Sequence, residues 1–403
     1  MATQVEKLRN LIQLDKDLQS IQDLDILLEK ILFSARQFTN ADAGTIYSRE
    51  ENKLTFRFAQ NDTQQKLLPP GEKLIYSIFS VDINEKSISG YVAQTKKILN
   101  IPNVYRLDPE KPYSFNSTVD KTSRYRTRSM LTVPLLDNSN EVLGVLQIIN
   151  SKSTNGNIVA FNKEKELYVQ HFANSASVAL ERAKLTRQII LRMISMAELR
   201  DPKETGPHVN RVASYAVEIY ERWAKNRNMD SQLIEHNRDL LRMSAMLHDV
   251  GKVGISDLIL KKPGGFNEEE YAIMKTHTFC GARLFNENQS EFDNMALLVA
   301  LTHHENWDGT GYPGPIDLTT GQPVPGAPPL SGEDIPIYGR IVAIADVFDA
   351  LCSHRVYKKA WKEEDVLAEM RKLSGSKFDP ELVDIFFEIL DHIKNIQAKY
   401  PDD

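Results

Sequence analysis

Apolar residues recur at helical spacing over the first part of the chain, and the pattern predicts two amphipathic helices between residue 1 and about residue 40. From Gly44 onward the chain changes to short runs of β-branched and aromatic residues bounded by turn residues, which are typical of strands. One short helix is predicted among them, from about Ile88 to Gln94. Helices and strands in this proportion predict an α+β sandwich with an antiparallel sheet.

A stretch without proline or glycine extends from about residue 161 to residue 198, and its apolar stripe, which includes Val178 and Leu185, predicts one long helix. A helix of this length between two domains usually pairs with its copy in a parallel dimer, so we expect a homodimer through this linker helix. The alternative is a helix packed along its own domain. The dipeptide Asp201-Pro202 ends the stretch, because proline disfavours the α region for the preceding residue.

Residues 186–403 carry helical apolar patterns almost throughout, and an all-helical domain is predicted there. Asn267, followed by Glu270 three residues later, is a capping signature for a helix that is expected to carry His277. The exception is the segment 314–336, which holds six of the eighteen prolines and no helical pattern. A loop of this length in a compact domain is more often functional than structural.

The segment SAMLHDVGKVGI, from Ser244 to Ile255, places a histidine and an aspartate at the inner end of a predicted core helix. Gly251 is expected to end this helix because glycine tolerates positive φ. His248 and Asp249 therefore occupy positions where apolar residues are expected. A buried carboxylate beside an imidazole is costly unless the pair is hydrogen-bonded or holds a metal ion.

Composition limits the classes of function. The chain has 403 residues, 41% of them hydrophobic, and a net charge of -6, which describes a soluble protein without the basic surplus of a nucleic-acid-polymer binder. Two cysteines, Cys280 and Cys352, provide no disulfide framework and favour a reducing compartment. The first residues lack a signal-peptide core, and no uncharged run approaches membrane-span length, so we expect no membrane insertion and a cytoplasmic location.

All nine histidines lie at or after His171, so any imidazole chemistry belongs to the C-terminal half. Seven polar residues fall on apolar faces of the predicted helices, where a single histidine would more often be a hydrogen-bonded core residue. Buried imidazoles and carboxylates together suit borderline divalent metals, and one ion takes about four to six ligands, so the set predicts two ions that share a carboxylate. The seven residues are His208, His248, Asp249, His277, His303, His304 and Asp346.

Two charged residues near this set each have two interpretations. Lys252, about one helical turn after His248, is either a cation that neutralises charge on a substrate or transition state, or a solvated lysine after a helix end. Glu204, four residues before His208, is either a ligand of a third metal ion or an exposed loop carboxylate.

Three segments of the N-terminal half, SISGYVAQTKKILNIPNVY, YRTRSMLTVPLLD and EVLGVLQIINSK, occur in this order within residues 20–182. Their order resembles a GAF domain, which implies a pocket for an unidentified ligand or a role in dimerisation. Nucleotide-binding members of that family carry a spaced Asn-Lys-Phe-Asp-Glu set. This chain matches the set only loosely, which makes a nucleotide the less favoured ligand; the matching residues are Asn150, Lys152, Phe161 and Glu164.

Three segments of the C-terminal half, HDVGK, HHENWDGTGYP and IADVFDAL, resemble motifs of the HD-GYP phosphodiesterases, over residues 198 to about 360. The resemblance implies hydrolysis of cyclic di-GMP at a centre of two or three iron or manganese ions. It also implies that the seven residues are the metal ligands and that Asp249 bridges two ions, with Asp249 and Lys252 as the catalytic residues. Glu204 matches the glutamate of the members that hold a third ion.

The same resemblance implies a set of substrate-binding residues. Lys252 lines the phosphate site, and the basic pair of Arg355 and Lys358 binds substrate phosphate. Guanine selection needs aromatic or polar edges near the site, independently of the resemblance, and the sequence offers three candidates without ranking them: Tyr312 of the Gly-Tyr-Pro triplet, Trp307 and Tyr357. Val356 stands where the family commonly has proline, and this replacement removes no functional group.

Together these patterns predict an N-terminal GAF α/β sandwich, residues 1–182, joined by the linker helix to an all-α HD-type metal-dependent phosphohydrolase domain, residues 183–403. The expected reaction is hydrolysis of cyclic di-GMP to linear pGpG, regulated by the GAF domain, with further hydrolysis to GMP left open. The alternatives are hydrolysis of another cyclic dinucleotide or nucleotide phosphoester, and a non-catalytic receptor for cyclic dinucleotides. The complete set of ligand residues argues against the receptor.

Overall fold

An antiparallel sheet forms the centre of the N-terminal unit in the computed structural model, which describes residues 4–69, 74, 79–198, 206–287, 290–352 and 361–401. Contacts divide the chain into two units, Met1–Thr186 and Arg187–Asp403. The strands of the first unit are β1 (Ala41–Glu50), β2 (Lys53–Asn61), β3 (Ser80–Asp82), β4 (Leu99–Ile101), β5 (Met130–Leu136), β6 (Val142–Lys152) and β7 (Ile158–Val159). Among the described residues they pair antiparallel in the order β3-β2-β1-β6-β5-β4, with β7 beside β6, which confirms the predicted sheet.

The helices of this unit are α1 (Gln4–Ser20), α2 (Leu24–Thr39), α3 (Asp62–Gln65), α4 (Ile88–Thr95), α5 (Thr118–Ser123) and α6 (Lys163–Glu198). α2 begins after Asp23, whose carboxylate accepts two backbone N–H groups of the first turn. Leu27 of α2 shares one apolar core with Ile46 and Leu146 of the sheet. α6 is the long helix that the sequence predicts. It crosses the boundary between the two units, so domain limits at residues 182 and 183 stay a prediction.

Asn150 and Lys152, which resemble part of a nucleotide-binding motif, belong to a network of hydrogen bonds and an ion pair within the fold. The Asn150 amide donates to the Tyr125 hydroxyl oxygen at 2.9 Å, and the Tyr125 hydroxyl donates to the buried Asp42 carboxylate at 2.8 Å. Lys152 forms an ion pair with the same Asp42. These contacts fasten the end of β6 to the start of β1, so Asn150 and Lys152 act here as connectors between strands.

The C-terminal unit is built from helices, which confirms the all-helical prediction, with a small hairpin of β8 (Ile316–Asp317) and β9 (Gln322–Pro323) in the proline-rich loop. Its fully buried residues include Tyr215, Leu241 and Ile344. Within the described residues, no helix is both long and apolar enough to cross a bilayer. The helices are α7 (Gly206–Asn226), α8 (Ser231–Met246), α9 (Asp257–Leu260), α10 (Glu268–Lys275), α11 (His277–Arg283), α12 (Glu291–Thr302), α13 (Ile337–Cys352), α14 (Glu363–Lys372), α15 (Pro380–Glu388) and α16 (Leu390–Lys399).

The predicted reason for the glycine after the His-Asp pair is wrong. α8 ends at Met246, and His248 and Asp249 lie in the turn before a 3₁₀ segment, Val250–Gly254. Gly251 does not adopt positive φ. A Cβ atom at this position would lie 1.9 Å from the His277 carbonyl oxygen. Glycine is therefore required because the turn approaches the backbone of α11, which brings Asp249 close to His277.

The position of His277 also differs from the prediction. The capping box of Asn267 and Glu270 is present and starts α10, as the sequence predicts. α10 ends at Lys275, however, and His277 begins the separate helix α11. The His277 imidazole is almost fully buried at the start of this helix.

Substitution of Gly251 by alanine tests the close approach. The new methyl group meets backbone atoms of α11, which cannot rotate away, so the free energy of unfolding is expected to fall by about 1–3 kcal/mol. Thermal unfolding of Gly251→Ala and of the control Gly265→Ala measures the difference, since a Cβ on Gly265 has no atom within 4 Å. Equal unfolding midpoints for the two variants would contradict the packing argument.

Candidate metal centre

Seven of the predicted ligand residues converge in the C-terminal unit as two clusters of donor atoms. They come from α7, the turn after α8, the start of α11, the end of α12 and the middle of α13. Within each cluster the donor atoms lie within 4.8 Å of one another. The first cluster is Asp249, His277, His303 and His304, and the second is His208, His248 and Asp346. Three further predicted site residues, Glu204, Arg355 and Lys358, lie outside the described residues.

The tautomer that the neutral ring adopts in three histidines follows from their backbone contacts. His248, His277 and His303 each place Nδ1 at 2.8–3.0 Å from a carbonyl oxygen three or four residues earlier. A carbonyl oxygen only accepts hydrogen bonds, so Nδ1 carries the proton in each neutral ring. Nε2 then carries a lone pair, which is the form in which imidazole binds a metal ion.

Burial favours the same neutral form. It lowers the pKa of His303 below the usual value, and it lowers the pKa of His304 well below it. Desolvation penalises the imidazolium cation, while a neutral ring loses little on burial. The two histidines are therefore available as neutral metal ligands at neutral pH.

The lone pairs of these rings point at carboxylates. Asp249 Oδ1 lies 3.0 Å from His277 Nε2 and 3.5 Å from His303 Nε2, and neither nitrogen makes a hydrogen bond within the described part of the chain. In the second cluster, Asp346 Oδ1 lies 3.7 Å from His208 Nε2 and 3.9 Å from His248 Nε2. Acceptor atoms that face each other at these distances repel unless a cation lies among them. The residues therefore fit divalent metal ions.

Asp249 connects the two clusters. Its Oδ2 lies 3.4 Å from Nε2 of His248, a member of the second cluster, while its Oδ1 faces the first cluster. A carboxylate with one oxygen toward each donor set has the arrangement that a ligand shared by two ions requires. Lys252 Nζ lies 2.6 Å from the same Oδ2, so the lysine stands beside this carboxylate.

A buried aspartate that the sequence analysis missed holds His208 in place. Asp349 Oδ2 lies 2.8 Å from His208 Nδ1, and Arg211 donates to both Asp349 oxygens at 2.6 and 2.9 Å. Arg211 also donates to the Tyr400 carbonyl oxygen at 2.8 Å. Burial tends to raise the pKa of Asp349, but the hydrogen bonds from His208 and Arg211 lower it below the usual value. Its position three residues after Asp346 in an apolar helix was a usable signal.

The Gly-Tyr-Pro segment packs on the first cluster. The Tyr312 ring stacks on the His304 imidazole with centroids 4.8 Å apart, and the Tyr312 N–H donates to the His304 carbonyl oxygen at 3.1 Å. Burial raises the pKa of Tyr312, so the phenol stays protonated. A Cβ on Gly311 would lie 2.2 Å from the Asn306 nitrogen, which requires glycine there. The segment thus fixes one face of His304, a role that the sequence did not indicate.

Glu305 is a second buried acid that the sequence analysis missed. Its carboxylate accepts the Gly314 N–H, directly after the Gly-Tyr-Pro segment. Burial raises the pKa of Glu305. The residue links the end of the histidine doublet to the segment that covers His304.

Comparison with known proteins agrees with this division into a sheet unit and a helical unit. Residues 23–180 match the GAF domain family, and residues 192–382 match a family described as HD domain. The chain is 35% identical over 240 residues, 59% of this chain and 42% of the relative, to 3'3'-cGAMP-specific phosphodiesterase 2 of Vibrio cholerae. It is 38% identical over 235 residues, 57% of this chain and 45% of the relative, to a cyclic di-GMP phosphodiesterase of the same organism.

A third relative is a cyclic di-GMP phosphodiesterase of Thermotoga maritima, 37% identical over 214 residues, which are 53% of this chain and 51% of the relative. The chain spans about half the length of the curated relatives it matches.

Substitution of Asp349 by asparagine tests the support of His208. The change removes the negative charge between His208 and Arg211, so metal affinity is expected to fall by about ten- to a hundredfold. Metal content after dialysis against a graded series of chelator concentrations measures the change, with the exposed Asp391→Asn as the matched control. Retention of metal equal to that of Asp391→Asn would show that Asp349 does not support the site.

Proposed function

We propose that this protein, a GAF domain joined to an HD domain, hydrolyses a phosphodiester bond of a cyclic dinucleotide at paired metal sites of the HD-GYP type. The observation that carries the proposal is the position of Asp249 between two sets of donor atoms. Cyclic di-GMP is the proposed substrate and linear pGpG the proposed product. A second product, GMP, would require a further round of hydrolysis.

The chemistry needs both donor sets. A phosphodiester resists attack because its anionic oxygens repel nucleophiles, and divalent ions supply an activated water and neutralise the charge on the phosphoryl group. The chain contributes five imidazoles and two carboxylates that fix those ions. This mixture of nitrogen and oxygen donors suits iron or manganese, with Glu204 as the proposed ligand of a third ion.

Four residues of the chain are proposed to bind the substrate. Lys252, beside Asp249, would neutralise negative charge on the phosphoryl group. Arg355 provides a planar fork for phosphate oxygens and Lys358 a point charge. Tyr312 presents an aromatic ring next to His304, where a guanine base would stack.

The choice of substrate has one competing candidate. Relatives of similar identity are named for cyclic di-GMP and for 3'3'-cGAMP, so the second dinucleotide is the alternative substrate. A receptor that binds without hydrolysis is the alternative from another class. Turnover of both dinucleotides by metal-loaded protein, followed by chromatography of the products, distinguishes the three.

We propose that the GAF domain regulates hydrolysis through dimerisation of the chain along α6. This helix has two apolar faces: one buried face that includes Ala176, Ala183 and Ile190, and one exposed stripe. At 3.6 residues per turn the stripe falls within an arc of roughly 80°. Its members are Leu167, Val178, Leu185, Ile189, Met193 and Met196, which are 37–66% exposed. An apolar stripe along one side of a long helix favours association with a second copy, so a ligand of the GAF domain would act through this helix.

Replacement of a ligand and of a phosphate-binding residue should have different effects. His248→Ala removes one donor, so metal content and hydrolysis of cyclic di-GMP are expected to fall together. Arg355→Ala should keep the metal and weaken substrate binding by about ten- to a hundredfold, the value of one charge-assisted phosphate contact. Elemental analysis measures the metal content, with at least two ions per chain expected in the unsubstituted protein, and product chromatography measures the hydrolysis of cyclic di-GMP. The exposed His236→Ala is the control.

Two outcomes would overturn this assignment. Metal-loaded protein that binds cyclic di-GMP without turnover would establish the receptor. Loss of metal in Arg355→Ala would remove that residue from the substrate site.

Charge on the exposed stripe should separate the dimer. Leu185→Glu with Ile189→Glu places two carboxylates where apolar side chains would meet, so the dissociation constant of the dimer is expected to rise at least tenfold. Analytical ultracentrifugation measures it, and Ser195→Glu, on another exposed side of α6, is the control. Deletion of residues 1–182 should also weaken the dimer. A doubly substituted chain as dimeric as the control would refute pairing through this stripe.

A further inference from the structure

A cavity of about 500 Å³ lies in the N-terminal unit. Its walls are the edge strand β4, the loop that follows β4, Arg128 shortly before β5, and the short strand β7. All of these residues belong to the N-terminal unit, whereas the candidate metal centre belongs to the C-terminal unit. The volume is within the range of sites that hold small molecules.

The wall of the cavity carries a surplus of positive charge. Arg106, Lys111 and Arg128 line it, and Asp108 is the one carboxylate among the lining residues that the structure describes. The Asp108 carboxylate accepts the Glu110 N–H at 3.0 Å and so belongs to a turn. The three cationic side chains are exposed and, within the described residues, form no hydrogen bond and no ion pair. Unpaired cations around one cavity favour an anionic ligand.

Asn100 of β4 provides a second polar group in the wall. Its Nδ2 donates to the Phe161 carbonyl oxygen at 3.0 Å and to Glu166 Oε2 at 2.9 Å. Its Oδ1 is buried and accepts no hydrogen bond from the part of the chain that the structure describes. A buried acceptor without a donor is unfavourable, so a ligand with an N–H or O–H group would stabilise this amide.

The rest of the wall is mainly apolar and includes Ile101, Leu107 and Ile158. A fitting ligand therefore has an anionic group, a hydrogen-bond donor and an apolar or planar part. Three cations and one carboxylate leave a surplus of two positive charges. A phosphate monoester, with a charge of roughly -1.5 to -2 at neutral pH, matches this surplus better than a single carboxylate does.

The cavity also adjoins the start of α6. Residues 158–160 of its wall lead into this helix, and Glu166 lies in the first turn. Asn100 therefore uses Nδ2 to hold the first turn of α6, while its Oδ1 is left for a ligand. Through this one side chain, a molecule in the cavity would affect the helix that joins the two units.

We propose that this cavity is the regulatory ligand site of the N-terminal unit and that its ligand is a small phosphorylated molecule. Arg106, Lys111 and Arg128 bind the phosphate group, and Asn100 accepts a hydrogen bond from another part of the ligand. The regulatory part rests on the proposed function, because it takes α6 to transmit the signal. Binding in the cavity does not depend on that assumption.

Binding of AMP to full-length, metal-loaded protein tests the site, with adenosine as the matched ligand that lacks phosphate. In Arg106→Gln with Arg128→Gln, the dissociation constant for AMP is expected to rise about a hundredfold or more, because two charge-assisted phosphate contacts are lost. Arg126→Gln is the matched control, since Arg126 is also exposed and does not line the cavity. Titration calorimetry gives the affinity and the number of AMP molecules bound per chain.

The number of bound molecules separates this site from the metal centre. An AMP molecule at the metal centre would keep its affinity in the double variant, so the count is expected to fall by one per chain. Adenosine should bind the cavity at least about tenfold more weakly than AMP. Wild-type protein that binds neither AMP nor inorganic phosphate would overturn the proposal. AMP binding in the double variant equal to that in Arg126→Gln, or adenosine binding as tight as AMP binding, would also overturn it.

The regulatory part has its own measurement. Saturating AMP is expected to change the dissociation constant of the dimer about fivefold or more in wild type and in Arg126→Gln, and to leave it unchanged in the double variant. Analytical ultracentrifugation measures it, and a dimer that does not respond to AMP would overturn the regulatory role. Absence of cyclic di-GMP hydrolysis would refute only the proposed function, because AMP affinity still tests the cavity.

Discussion

Several hydrogen-bond acceptors face one another around Asp249, and this is the constraint on which the candidate metal centre of the C-terminal unit depends. Backbone carbonyl groups hold the Nδ1 protons of three histidines, and this leaves Nε2 lone pairs directed at carboxylate oxygens 3.0–3.9 Å away. Such an arrangement is unstable in a buried site without cations. The same helices that build the core therefore also fix the tautomer of these rings and the direction of their Nε2 atoms.

Several features of the fold position the side chains of the candidate metal centre. The absence of a side chain at Gly251 lets the turn with Asp249 approach α11. Asp349 contacts Nδ1 of His208 and forms an ion pair with Arg211, which also donates a hydrogen bond to the Tyr400 carbonyl oxygen. Buried charges are costly unless each is paired, and in this network every charge has a partner. The C-terminal helix thus contributes to the position of a ligand almost two hundred residues earlier.

The opposite side of the centre is made of loops. The Gly-Tyr-Pro segment covers His304, Glu305 fastens that segment, and the loop with Lys377 is bound to the same region through two backbone hydrogen bonds. Loops presented by a rigid helical scaffold commonly carry binding residues. The candidate metal ligands therefore belong mainly to helices and their ends, whereas the segments that cover His304 belong to loops.

The sequence by itself determined the elements and the residue types of the candidate metal centre. Periods of two and of 3.6 residues are local, so strands, helices and the capping box of Asn267 follow from neighbouring residues, and polar residues on apolar faces mark the ligands. The tertiary structure alone decided which candidate ligands share a cluster, the reason for Gly251, the separate helix of His277, and the contact of Asp349 with His208. Each of these depends on distances between segments far apart in the chain, and local periodicity contains no information about such distances.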